Sequence, residues 1–196
     1  AASTPADLNG DDRIAGFSKC AHRSPMLSLD KAYSQVAVEA FSTRVAEVLR
    51  AHHVRYVVEP KFDGLAISAI YENGRLMRVV TRGNGREGDD VTENARRFSN
   101  IPLELHGGRD LPKFVDARGE VFMSKAEFAR VNEEREEAEE ARFASPRNLA
   151  SGTLKSISGI DAKGRRLEVV FYALGAIESE VPGPSSQIML CRLFER

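Results

Sequence analysis

The chain has no apolar run approaching the roughly 20 residues that cross a bilayer, and its opening stretch AASTPADLNGDD lacks a basic segment followed by an apolar one. Neither a membrane span nor a secretory leader is indicated, and the cytoplasm is the expected location. Cysteine is scarce: Cys20 and Cys191 stand near opposite ends, without a CxxC pair or a His/Cys ligand spacing. That argues against a disulfide framework or a zinc module and fits a reducing compartment. An excess of one charge is also missing, because 28 Lys and Arg face 29 Asp and Glu for a formal net charge of −1. No global field draws a polyanion, so any nucleic-acid contact must come from a local basic patch. No internal repeat is visible.

What is present is an ordinary globular composition, 42% apolar and 29% charged over 196 residues, long enough for one substantial core. Residues 1–19 read as a polar, flexible leader and 20–196 as the ordered part. VAVEAFSTRVAEVLRAH places Val38, Phe41, Val45, Val48 and Leu49 at three- and four-residue spacings, which predicts an amphipathic helix. RYVVEPKFDGLAISAIY and RLMRVVTR flank Asn73-Gly74, a strong hairpin signal. A glycine-rich loop, TRGNGREGDD, then feeds a short helix whose Asp90 and Glu93 have capping-box spacing. KFVDARGEVFM predicts a strand, and Ser124 with Glu127 predicts the cap of a helix over KAEFARVNEEREEAEEARF, with Glu133 to Glu140 as its solvated face. LEVVFYALG predicts a further strand and SSQIMLCRLFER a last helix. Without regular βαβ alternation, the order favours an α+β fold of antiparallel sheets with flanking helices.

The chemistry concentrates in EPKFDG. On a strand, Glu59, Lys61 and Asp63 would share one face while Pro60 and Phe62 take the other. Gly64 would then let a ligand or another backbone approach closely. A solvated strand face explains this pattern equally well in isolation. Its company changes the balance: TRGNG after the hairpin, RGEV in the next strand, and SPRNLASGTLK beyond the acidic helix.

In this order, EPKFDG, TRGNGREGDDVTENARRFSNIPL, RGEVFM, FASPRNLASGTLK and FYALG, preceded by HRSPMLSLDKAYS, resemble the adenylation domain of bacterial NAD-dependent DNA ligases. The resemblance spans about Cys20 to Arg196. It implies a nucleotidyltransferase fold of the DNA ligase and mRNA capping enzyme kind, ATP-grasp-like and here incomplete. It also implies that Lys61 attacks the α-phosphorus of NAD, holds AMP as a phosphoramide and passes it to the 5′-phosphate of a DNA nick. An amine is nucleophilic only when deprotonated, and lysine, unlike arginine, shifts its pKa readily. Asp63 would favour the ammonium form of a neighbouring lysine, which leaves it positioning, ribose or metal contacts.

The resemblance further assigns Glu59 to the adenine edge, Arg82 to the ribose and phosphate, Glu120 to the ribose hydroxyls, and Ser28 and Leu29 to the nucleotide. Arg147 and Lys155 are assigned to DNA phosphates, with Arg86, Arg96 and Arg97 as weaker surface candidates. The implied partners are nicked double-stranded DNA and the remaining ligase domains of a parent chain. Mg²⁺ is implied by the phosphoryl chemistry, although no complete protein-borne metal site is legible.

Two positions depart from the family: TRGNG has Asn84 where TRGDG is usual, and GTLK ends in Lys155 where arginine is common. The family's nicotinamide-gripping helical module and its later DGVV-x-K and AYKFP-like lysine motifs are absent from these residues. Two alternatives therefore stay open beside a cropped ligase: a degenerate nucleotide- or DNA-binding module, and an ATP-dependent ligase or capping-type nucleotidyltransferase sharing K-x-D-G.

Overall fold

The computed structural model describes residues 11–97, 100–106, 111–157, 164–180 and 182–194. Two compact units emerge: one combines Ala1–Met26 with Lys61–Arg196, and the other is Leu27–Pro60. The smaller unit contains helix α1 (Gln35–Leu49), capped by Ser34, whose side chain accepts from Ala37 N at 3.2 Å. The helix stops at Arg50 in the left-handed region, and Phe41 meets Tyr56 with ring centroids 6.3 Å apart.

The larger unit is organised by a four-stranded antiparallel sheet in the order β3-β2-β5-β6. Strands β2 (Leu65–Glu72) and β3 (Arg75–Thr81) form the hairpin. Its turn residues Asn73 and Gly74 have φ of 48° and 80°, the paired positive values a type I′ turn requires. Strand β5 (Phe114–Phe122) lies between β2 and β6 (Glu168–Glu178). Alternation sends Leu65, Ile67, Ala69 and Tyr71 of β2, with Val115, Ala117 and Val121 of β5, into the core. Helix α4 (Pro146–Leu154) adds Leu149, Ala150 and Leu154 to that cluster, and α3 (Lys125–Glu137) adds Val131. Burying a leucine fully contributes about 1.5–3 kcal/mol, so these few side chains fix α4 over the sheet. The same alternation turns Asp116, Arg118 and Glu120 of β5 to the opposite face.

Several local signals hold and others yield to competing bonds. Ser124 caps α3, accepting from Glu127 N at 3.3 Å, and the acidic residues 133, 134, 136 and 137 are exposed. The helix ends at Glu137, short of Phe143, and Glu139 has a φ of 57°. Helix α2 (Thr92–Ala95) is capped by Val91 without a side-chain bond. Asp90 instead accepts from Thr92 N at 3.1 Å and Thr92 Oγ1 at 2.5 Å, so no capping box forms. Helix α5 (Gln187–Phe194) is present as expected. The strand expected through EPKFDG begins only at Leu65, and residues 59–63 have no regular structure. Pro60 has no N–H to offer a ladder, and Gly64 N donates to Glu120 Oε1 at 3.2 Å instead of to a strand carbonyl.

The leader expected over residues 1–19 is only in part outside the described residues. From Asp11 onward it is laced to the sheet. Strand β1 (Lys19–Ala21) pairs antiparallel with β4 (Glu87–Asp89). Arg13 Nη1 donates to Glu87 Oε1 at 2.7 Å, and Ile14 N to Asp89 Oδ2 at 3.0 Å. Asp89 is wholly buried, pairs with Lys19, and lies 3.2 Å from Lys155 Nζ. Burial pushes the Asp89 carboxyl up, but Lys19, the Ile14 N–H and Lys155 together hold it below the usual carboxylate range. A carboxylate lowered in the fold contributes stability above its unfolded value of 3.8 and loses it as pH falls through the lower folded value. Removing one partner of a buried pair costs about 3–5 kcal/mol, so Asp89→Asn should lower the unfolding free energy by about 3 kcal/mol at pH 7. The deficit relative to wild type should shrink below pH about 4, as read from urea unfolding at both pH values.

Candidate active site

The polar face of the sheet is built by period two. In β5, Asp116, Arg118 and Glu120 stand across from Ile70, Ser68 and Ala66 of β2. Glu120 is half-buried and receives the Gly64 N–H. Desolvation raises its pKa, against the opposing pull of Lys61, the Gly64 N–H and Arg147, while Asp63 adds to the rise. Glu120, Lys61, Asp63 and Arg147 therefore share one electrostatic neighbourhood. Arg147, in the first turn of α4, donates from Nη1 to Asp63 Oδ1 at 2.6 Å. Ser145 positions that turn by accepting from Asn148 N at 3.4 Å, with Pro146 at the first helical position. Lys61 is exposed, in the irregular segment entering β2.

Arg82 leaves β3 with its N–H on Ala66 O at 2.9 Å. Its charge reaches Tyr172 of β6, whose phenol is pushed up by burial and by Glu120, against Arg118 and Arg82. Within the larger unit, Lys61, Asp63 and Arg147 lie in the neighbourhood of Glu120, and Arg82, Arg118 and Glu120 influence Tyr172. The sequence held a signal for Arg118: Asp116, Arg118 and Glu120 alternate with core residues in VDARGEV. Ser28, Leu29 and Glu59 belong to the unit of residues 27–60.

Lys155 is placed differently from the expectation of a DNA contact. Its side chain is 5% exposed, with Nζ 2.8 Å from Asp12 Oδ1 as well as near Asp89. The charge that should face a phosphate is neutralised inside the framework. Arg86 and Arg97 remain exposed, and Arg96 pairs with Glu93 at 3.2 Å. Asn84 Oδ1 accepts from Arg86 N at 2.9 Å and Glu87 N at 3.0 Å. These contacts need an oxygen acceptor and no negative charge, so the neutral amide serves the loop's shape. Among the described residues, no group of three or more His, Cys, Asp or Glu side chains could hold a metal. No helix there is long and apolar enough to cross a membrane.

The sequence model of the NAD-dependent DNA ligase adenylation domain matches residues 14–196. The chain belongs to this family. Among related proteins, DNA ligase 2 of Opitutus terrae is 52% identical over 189 residues, 95% of this chain and 26% of the relative. DNA ligase 1 of the same organism is 45% identical, covering 94% of this chain and 28% of the relative. DNA ligase of Porphyromonas gingivalis is 42% identical, covering 96% and 28%. This adenylation-domain chain thus spans about a quarter of the length of these relatives.

The shifted Glu120 carboxyl gives a test of the site's electrostatics in the adenylation domain. Between its unfolded value of 4.5 and the raised folded value, the native state holds more protons than the unfolded one, so this group's contribution falls as pH rises. Above that window the full burden of a desolvated charge remains. Glu120→Gln keeps an acceptor for Gly64 and removes the charge, so its Tm should exceed wild type by about 2 °C at pH 7.5. The advantage should vanish near pH 4, by calorimetry at the two pH values; equal melting at both would refute the desolvated carboxylate.

Proposed function

We propose that this chain carries the nucleotide-accepting lysine of a DNA ligase. The Lys61 amine attacks the α-phosphorus of NAD, a P–N bond forms, and the bond to nicotinamide mononucleotide breaks, leaving AMP as a phosphoramide. In the longer protein, the 5′-phosphate of a DNA nick takes that AMP from Lys61, and the adjacent 3′-hydroxyl then displaces AMP to close the strand. The observation that carries this reading is the convergence of Lys61, Glu120, Asp63 and Arg147 beside Gly64. It combines a lysine nucleophile, two carboxylates and a guanidinium at the edge of one sheet face.

Each group has chemistry suited to a part of the reaction. Glu120, half-buried and anchored through Gly64 N, is an acceptor for ribose hydroxyls. Arg82 supplies a fixed cation for the nucleotide. Glu59 serves the adenine edge, and Ser28 and Leu29 contact the nucleotide. Tyr172, whose phenol feels the Glu120 charge, offers an aromatic ring for a base. The Asp63–Arg147 pair is exposed, 74% and 53% respectively, and exposed pairs are worth little. Arg147 can therefore exchange Asp63 for a DNA phosphate at small cost, contributing affinity without reading sequence. For Mg²⁺, the described residues provide no cluster of three or more His, Cys, Asp or Glu side chains. A nucleotidyltransferase fold is the architecture this proposal requires, with its remaining elements supplied by the longer chain.

These 196 residues contain no DGVV-x-K lysine motif. Removing preorganised cations from an oxyanion site commonly reduces rate by about 10²–10³, so the isolated chain should label slowly. Incubation with NAD and Mg²⁺ followed by peptide mass spectrometry should find a low yield of AMP on Lys61 and none in Lys61→Arg. An adduct on a different residue would overturn the Lys61 assignment, and rapid stoichiometric labelling would overturn the predicted slowness.

A further inference from the structure

The polar face carries a largely buried cation to which the adenylation scheme above gives no part. Arg118 precedes Glu120 by two residues on β5, and its side chain is 15% exposed. Nη2 lies 3.6 Å from Asp116 Oδ2, and Asp116 Oδ1 accepts from the Ser68 hydroxyl at 2.6 Å. From this anchor the guanidinium reaches off the sheet. Nη1 donates to Pro25 O at 2.9 Å, while Nη2 donates to Ser24 O at 2.8 Å and Ser24 Oγ at 2.6 Å. Its Nε–H is the one buried side-chain polar atom without a hydrogen-bond partner among the described residues. Buried donors are ordinarily paired, so this orientation favours the grip on Ser24 and Pro25 over full satisfaction of the arginine. Gly175 of β6 makes the orientation possible. A Cβ there would fall 2.1 Å from Asp116 Oδ2 and 2.6 Å from Arg118 Nε and Nη2.

The segment around the gripped peptide also contacts the glycine-rich loop TRGNGREGDD. His22 N donates to Arg86 O and Met26 N to Gly85 O, both at 2.8 Å. Met26 is buried, and Leu27, Ser28 and Leu29 follow it directly in the chain. We infer that Arg118 is a positioning residue for nucleotide binding, a planar fork that locks the Ser24–Met26 peptide between β5 and the TRGNG loop. This keeps Glu120, Arg82 and the Ser24–Met26 peptide in one register. Lysine at this position retains the charge but cannot hold two carbonyls in one plane.

The inference rests on the proposed nucleotide chemistry, and its test separates the two. NAD is titrated into wild type, Arg118→Lys and Gly175→Ala, followed by amide chemical shifts, with Lys61 labelling rates at saturating NAD and melting curves alongside. Both variants should weaken NAD binding by about tenfold and move the Met26 and Gly85 amides. Saturating labelling rates should change by less than about twofold, since no group at the reacting atoms is removed. If Gly175→Ala does not fold, Arg118→Lys decides alone. Unchanged NAD affinity with displaced Met26 and Gly85 amides overturns the positioning role, as does a loss confined to the saturating rate. Absence of NAD binding in wild type overturns the nucleotide reading and this inference with it. A failure confined to the variants' affinity leaves the nucleotide reading standing.

Discussion

Gly64 approaches β5 so closely that a Cβ would lie 2.0 Å from the Val121 carbonyl oxygen, and the organisation of the candidate site follows from that approach. With a hydrogen in place of a side chain, the backbone drops against β5 and its N–H meets the Glu120 carboxylate. The segment bearing Lys61 consequently joins the sheet at one fixed point, one residue before the ladder begins at Leu65 opposite Val121. A glycine, a carboxylate and a strand register together determine where the amine emerges. Phe62 reinforces this junction from its apolar side, with its ring centroid 4.7 Å from that of Phe122.

The sheet separates apolar packing from polar side chains through its two faces. One face is apolar and closed by α3 and α4, while the other gathers Ser68, Asp116, Arg118, Glu120 and Tyr172. Because neighbouring residues on β5 serve opposite purposes, the strand cannot slip by one position without exchanging core for site. The charged network around Asp89 plays a complementary part at the other end of α4. It ties Lys155 and the segment from Asp12 to Lys19 to β4, which anchors the C-terminal end of the helix that presents Arg147.

Short-range chemistry was the part of the fold most legible in sequence. Asn73-Gly74 fixed its own turn through two positive φ values, and Ser124 capped its helix through a bond three residues away. Readings faltered where a distant group intervened. The EPKFDG alternation suggested a strand, but Glu120, 56 positions on, takes the N–H that would have extended it. Lys155 looked like a surface cation because nothing nearby in sequence announces Asp12 and Asp89. Helix α4 carries a sound local start signal in Ser145 and Pro146, with Gly152 in its last turn. Lys61, Asp63, Glu120 and Arg147 come from three separate short motifs, and their types are legible in sequence because each motif is local. Arg118 required the sheet register to be seen.

The loop at Asn84 has a consequence for the protein's chemical durability. Asn-Gly sequences age when the glycine nitrogen closes onto the asparagine side-chain carbon, converting the amide to an acid. Here Gly85 N is committed to Arg82 O at 2.9 Å, and the Asn84 side-chain oxygen holds two further backbone N–H groups. The bonds that shape the turn occupy the Gly85 nitrogen and the Asn84 side-chain oxygen. A residue pair that is ordinarily a weak point for spontaneous hydrolysis is thereby restrained by the hydrogen bonds of its own loop.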